Sequence, residues 1–280
     1  MWGLVIWKEF MLLFERVEPK TEEFVKRTCI LTKHVLLAHG RAVQIIRERA
    51  KTKPVIGIAM DGKFFMPNDN TDEAIATAME RTYESILDCH RINWWLDPIC
   101  KGTYHPQLEN IVNDEEKAVI AEQIDFIGYN CYKANNFDDD DGPNPDVKPG
   151  IPRTAMGWAI TGDALYWAVR FIHTRYEKPI MITENGMANV DFIMSDGLVH
   201  DQQRIEFLKL YLAGLKRAAN EGYPIIGYMY WSILDNFEWA EGYDKRFGLV
   251  YVNYENQERM EKDSAIWFAN YIKQQQDEQS

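Results

Sequence analysis

Several things are scarce in this sequence, and each scarcity removes a class of function. The 280 residues contain four cysteines, Cys29, Cys89, Cys100 and Cys131, spread widely and with no C-x-x-C pair. That spacing fits neither a zinc site nor a disulfide framework, so reduced, buried thiols are expected. Positive charge is in deficit, with 31 Lys and Arg against 43 Asp and Glu and a formal net charge of −12. Nucleic acid and anionic membranes both need a positive footprint, so neither is an expected partner. No run reaches the roughly 18–20 apolar residues of a membrane span. The apolar start MWGLVIWKEFMLLFERVEPK is interrupted by Lys8 and Glu9, with neither a basic leader nor an A-x-A cleavage site, and a cytoplasmic location is the expectation. No Gly-rich phosphate turn follows any apolar run. Six histidines are scattered without an H-x-x-x-H pair, so no metal is expected. No cofactor is implied.

What is abundant is aromatic surface: 13% of residues, including 9 Trp and 14 Tyr. Flat aromatic faces beside hydrogen-bonding groups suit a sugar ring, which has an apolar CH face and a rim of hydroxyls.

Periodicity gives an alternation of helices and strands. Residues 21–50 read as a helix capped by Thr21, and 54–62 as a buried strand ending at Asp61. Residues 71–95 read as one helix capped by Thr71 and ending in Trp94 and Trp95, taken as packing residues. Strand 124–132 ends on Asn130 and Tyr132, helix 161–176 follows, and strand 179–185 ends on Glu184 and Asn185. A helix over 200–222 closes on Gly222, strand 225–231 ends on Trp231, and a helix covers 260–276 before a fraying tail. Segments 101–118, 133–157, 187–199 and 232–259 read as loops. Continuous apolar strands in such an alternation predict a parallel sheet buried on both faces.

Each strand ends at its C-terminal side in polar or aromatic residues that a core would not select. In a parallel α/β barrel that end is where chemistry is assembled. Only four strands are evident, with one more conceivable in LVIW near the N-terminus, whereas a closed barrel needs eight. The expected fold class is therefore α/β: a partial (β/α)8, TIM-type barrel of about four C-terminal β/α units, forming one domain over 1–280. Asp61 in MDGKFF reads as an Asp-Gly turn. Asp138–Asp141 lack calcium-loop spacing and read as a solvated loop.

The motifs carry a resemblance. TENG at 183–186, followed by YWSILDNFEW at 230–239 and KRFGLVYV at 245–252, resembles the C-terminal half of glycoside hydrolase family 1, the β-glucosidase family. HVLLAHGRAV, from residue 34, resembles the family's helix after its fourth barrel strand, and the likeness runs from about residue 30 to about residue 272. The resemblance implies that Glu184 is the nucleophile of a retaining mechanism, supported by Tyr132 of the N-x-Y motif. It also implies sugar contacts from Asn130, Trp231, Glu238, Trp239 and, at the outer site, Trp158. An acidic Glu238 would repel a phosphorylated sugar, so unphosphorylated β-glucosides or β-galactosides are the implied substrates. The family's N-E-P acid/base motif is absent; the nearest string, RVEPK, offers Glu18 with Val17 in place of asparagine. The family's glycone-binding residues from its first three strands are absent too. Alternatives are a non-catalytic relic, a half-barrel that self-associates or awaits a complementary chain, and a sugar-binding module.

Overall fold

The computed structural model describes residues 21–84, 88–135 and 150–277. Glu18, the LVIW segment and Asp138–Asp141 lie outside the described residues. By compactness the chain forms two units, residues 1–129 with 173–180 and residues 130–172 with 181–280.

The first unit begins with α1 (Glu22–Arg49), whose Thr21 hydroxyl accepts from the Phe24 amide at 3.2 Å. Its apolar stripe, Cys29, Leu36, Leu37 and Val43, faces inward. Gly40 lies on the same face because a Cβ there would meet the Val119 carbonyl oxygen at 1.9 Å. Strand β1 (Gly57–Met60) pairs in parallel with β2 (Phe126–Asn130), Gly57 opposite Phe126 and Met60 opposite Tyr129.

The helix expected over 71–95 is two helices, α2 (Asp72–Thr82) and α3 (Ile92–Lys101). Side chains substitute for the missing helical bonds at the break: the Asn93 carboxamide donates to the Tyr83 carbonyl at 3.2 Å, and Arg91 to that of Arg81. Trp94 and Trp95 therefore open a helix. The Trp94 indole is buried and donates to Thr32 Oγ at 2.8 Å, as a packing residue should. The loop expected at 101–118 holds α4 (Pro106–Glu109) and α5 (Asp114–Ile120), the latter started by a reciprocal Asn113–Glu116 capping box. Arg175 grips Asp97 with two hydrogen bonds, 3.0 and 2.6 Å, and Tyr176 adds a third at 2.9 Å.

The second unit carries most of α6 (Ala164–Tyr176) and β3 (Ile180–Asn185), then α7 (Gln202–Asn220) and β4 (Ile225–Tyr230), with β3 and β4 as sheet neighbours. Gly222, at φ 90°, ends α7 as expected. A short antiparallel pair, β5 (Val250–Val252) and β6 (Arg259–Glu261), precedes α8 (Asp263–Asp277), so the expected tail is helical through Asp277. Leu208, Leu212 and Leu249 are packed by Tyr228, Tyr230, Trp267, Phe268 and Tyr271.

The strands are not buried on both faces. In the first unit Ile56, Ile127 and Tyr129 are hidden while Ala59 and Asp61 are exposed. In the second, Ile180 and Ile182 are fully buried, yet Ile226 and Met229 of β4 are 47% and 53% exposed. Parallel strands are hidden on both faces only where other elements pack on each. Among the described residues, none shields these side chains to the depth of a core.

All four cysteines are free, three of them buried and Cys100 half-buried. Among the described residues no helix is long and apolar enough to cross a membrane.

One tether in the second unit is pH-dependent. His200 bridges Asp196 at 2.8 Å and Asp263 at 2.6 Å, and these hydrogen bonds raise the imidazole to about 9 from an ordinary 6.5. A raised folded-state value means the contribution is complete below the unfolded value of about 6.5 and is lost as pH rises through about 9. Thermal midpoints should therefore fall between those limits in the wild type. His200→Gln should flatten that part of the profile.

Candidate active site

Of the residues singled out in the sequence, Asn130, Tyr132, Glu184 and Trp231 lie at or just beyond the C-terminal ends of strands, while Trp158, Glu238 and Trp239 lie in connecting segments, all in the second unit. Beyond β2 the chain runs on beside β3, the Cys131 amide donating to the Glu184 carbonyl at 2.8 Å and the Asn185 carboxamide to the Cys131 carbonyl at 2.7 Å. These bonds fix the register that brings Tyr132 to Glu184. The Tyr132 hydroxyl donates to Glu184 Oε2 at 2.5 Å, and the carboxyl group is half-buried. Thr183 Oγ donates to Asn130 Oδ1 at 2.7 Å, and Tyr228 donates to Asn185 Oδ1 at 2.8 Å. The strand tips are thus tied by side chains as well as by backbone.

Gly186 explains the last letter of TENG. A Cβ there would lie 2.0 Å from the Trp231 carbonyl oxygen, and the Trp231 amide donates to the Asn185 carbonyl at 2.8 Å. Only a residue without a side chain lets the two strand ends come this close. The Trp231–Ser232 peptide is cis. Trp231 Nε1 donates to Glu238 Oε2 at 3.4 Å, and Asn236 Nδ2 donates to the same oxygen at 3.1 Å. Glu238 is half-buried, whereas Trp239 is 46% exposed. Trp158 packs its ring 5.3 Å from that of Tyr132 and 6.2 Å from that of Phe247. Phe247 also meets Tyr132 edge-on at 6.2 Å, so Trp158 and Phe247 together brace the tyrosine that contacts Glu184.

The sequence reading missed what lies beneath. Asp235 is buried and accepts four donors: Gly248 N at 2.9 Å, Lys262 Nζ at 2.8 Å, Arg246 Nη1 at 2.6 Å and Val252 N at 3.3 Å. Lys262, 0% exposed, also reaches Asp191 at 2.6 Å. Arg204, 0% exposed, binds Asp191 at 2.7 Å and Asp201, which accepts from Ser264 N at 2.8 Å. Burial works to raise the Asp191 carboxyl, but the Arg204 and Lys262 charges win and hold it below its ordinary value. Burial, joined by the Arg204 charge, lowers the Lys262 ammonium against the pull of both aspartates. One signal was available: Arg204 stands four residues before Leu208 and seven before Tyr211, on the buried stripe of α7, where an unpaired cation would be costly.

With this geometry in place, the chain can be set beside known proteins. The pattern of Glycosyl hydrolase family 1 matches residues 6–277, starting earlier than the motifs alone suggest. The chain belongs to glycosyl hydrolase family 1. Beta-glucosidase A of Thermotoga maritima is 40% identical over 257 residues, spanning 86% of this chain and 55% of that enzyme. A 1,4-beta-D-glucan glucohydrolase of Thermotoga neapolitana is 38% identical over 259 residues, with the same coverage of 86% and 55%. A solved family 1 β-glucosidase from Thermotoga maritima superposes with a TM-score of 0.72 at 36% identity, covering 89% of this chain and 57% of that one. The same organism's β-glucosidase with deoxynojirimycin gives 0.74 at 37%. This family 1 chain spans about half the length of the relatives it matches. Family 1 enzymes are (β/α)8 barrels, and four parallel strands of that architecture are seen in this chain.

One other group of ligand-type side chains stands in the first unit. Ligand atoms of Asp88, Cys89 and His90 lie within 4.8 Å of one another. Asp88 is already shared by Arg91 at 3.4 Å and Lys63 at 3.8 Å, and burial together with Asp88 pushes the Cys89 thiol up to about 12. Burial keeps the thiol protonated and the two cations already occupy Asp88, so the group has little to offer a metal ion.

The contact at Gly186 gives a test. Gly186→Ala should lower stability by about 1–3 kcal/mol, the usual cost of overpacking a tight contact, read as a fall in the thermal midpoint. An unchanged midpoint would mean that the strand tips do not close on each other as described.

Proposed function

We propose that this chain is a glycosidase of the retaining β-glucosidase type, acting on unphosphorylated β-glucosides or β-galactosides by double displacement. One observation carries the reading: a carboxylate at a strand tip, Glu184, held by the Tyr132 hydroxyl at 2.5 Å. A nucleophilic carboxylate must stay ionised while partly buried, and a donor aimed at it favours the charged form. Glu184 attacks the anomeric carbon, a glycosyl ester forms, and the bond to the leaving oxygen breaks. Water then hydrolyses the ester and returns the carboxylate. Asn130, bonded to Thr183, stands at the neighbouring strand tip to meet a sugar hydroxyl. Trp231 supplies an apolar platform. Glu238, aligned by Trp231 and Asn236, accepts from hydroxyls of the glycone, with Trp239 beside it. Its negative charge disfavours a phosphorylated sugar. Trp158, braced on Tyr132, lines the outer site.

No N-E-P motif occurs in these 280 residues, so the acid that protonates the departing oxygen is not assigned. Acid–base assistance contributes about 10²–10⁴-fold, and substrates with good leaving groups depend on it least. A 2-deoxy-2-fluoro-β-glucosyl donor with an activated leaving group isolates the nucleophile from that requirement. Intact-mass analysis should show one glycosyl adduct per chain, mapping to Glu184 and absent in Glu184→Gln. Folded protein that gains no adduct would refute the reading.

A second reading is favoured by the exposed apolar side chains Ile226 and Met229 on β4. Strands with open faces and edges invite pairing with another copy or with a complementary half-barrel. In that case the site works only in an assembly. Light scattering should then give at least twice the chain mass, and adduct formation should rise with protein concentration.

A further inference from the structure

Lys262 joins two chain segments by buried side chains, in addition to the backbone bridge at which the Asn189 amide donates to the Arg246 carbonyl at 3.1 Å. One is the segment after β3, reached through Asp191, which follows Glu184 by seven positions in the chain. The other is the segment after β4, reached through Asp235, between Trp231 and Glu238. The lysine side chain is fully buried, as are both carboxylates, so solvent does not substitute for either contact. Asp235 in turn fixes its neighbour: the Asp235 amide donates to the Val250 carbonyl at 3.0 Å, and the Asn236 carbonyl accepts from Tyr254 at 3.2 Å. Asn236 then donates to Glu238 at 3.1 Å. The chain of contacts therefore runs Asp191, Lys262, Asp235, Asn236, Glu238.

We propose that Lys262 is a positioning residue of the sugar site, locking the segment that carries Glu238 to the segment that follows Glu184. This rests on the glycosidase reading and adds to it a residue that need not touch substrate. The ammonium works as a cross-link because it bonds both carboxylates at once, whereas Arg204 holds Asp191 and Arg246 holds Asp235 separately. Glu184 and Tyr132 are held by strand register and by their own hydrogen bond, independently of Lys262. Loss of the lock should therefore loosen the grip on the sugar and spare the reactivity of the nucleophile.

The test uses the full chain with Lys262→Gln and Asp235→Asn combined, which removes one charge of each sign and leaves the buried network balanced. Circular dichroism and a cooperative melt establish folding; if the double variant does not fold, Lys262→Met with Asp235→Asn, which removes the same two charges and keeps the unbranched apolar stem, carries the same readouts. Hydrogen exchange followed by mass spectrometry should show amides in 231–243 exchanging about tenfold faster or more, with 202–220 unchanged. With the fluorosugar donor, the concentration for half-saturation should rise about 10- to 100-fold while the maximal rate of adduct formation stays near wild type. Wild-type exchange over 231–243 in a folded variant overturns the proposal, and so does an even increase across the whole unit. Localised exchange in the variant together with a wild type that forms no adduct overturns the glycosidase reading instead, and with it the sugar-site role.

Discussion

Lys262 holds its charge where there is no water, and much of the second unit is arranged around that fact. A buried ammonium without partners costs several kcal/mol, so the sequence surrounds it with Asp191 and Asp235. Those carboxylates need more than one cation between them. Arg204 satisfies Asp191 and Asp201, and Arg246 satisfies Asp235. Three acids and three bases then close a neutral set. Removing one partner from such a set typically costs about 3–5 kcal/mol, because the remaining charge stays buried and unpaired. An apolar replacement could be as stable, but it would lack direction. The ionic set fixes which segment lies against which, and its contacts end at Asn236 and Glu238.

The same logic separates the parts of the candidate site. Glu184 and Tyr132 depend on strand register, set by backbone bonds at 2.8 Å and by the space that Gly186 leaves for Trp231. Glu238 and Trp239 sit in the connection after β4, at the start of a single 3-10 turn (Trp239–Glu241), and such segments keep a geometry only when something pins them. On the proposed reading, the nucleophile stands on rigid strand tips and the sugar contacts on a pinned connection, so that each can be altered alone. The exposed apolar residues of β4 add a third feature, since they leave a face on which a further element or a further chain finds apolar surface.

Much of this was legible in the sequence because the relevant signals are local. Period-2 and period-3.6 patterns, Thr21 and Thr71 as caps and Gly222 as a terminator each act within a few residues, and all correspond to observed element boundaries. The TENG and WSILDNFEW strings pointed to the family, and the residues they nominate lie at strand ends and in the connection after β4, in one unit. The errors have non-local causes. The break between α2 and α3 is stabilised by Arg91 and Asn93 reaching back across the gap, which helical periodicity does not register. Helix α5 is short enough that its Asn113–Glu116 cap matters more than its apolar pattern. Burial of both strand faces was inferred from apolar runs, yet burial depends on what packs against a strand. Arg204 on the buried stripe of α7 hinted at the ionic set, but its partners could not be assigned because members are up to 71 positions apart, as Asp191 and Lys262 are.

If the second unit assembles a sugar-recognising half-site held by buried charge, an iminosugar such as deoxynojirimycin should bind it without any catalytic step. Calorimetric titration of the folded chain with that compound should give saturable heat with one site per chain and a thermal midpoint that rises with ligand, as binding to the native state alone requires. A folded chain that gives no heat and no shift of its midpoint would contradict such a half-site.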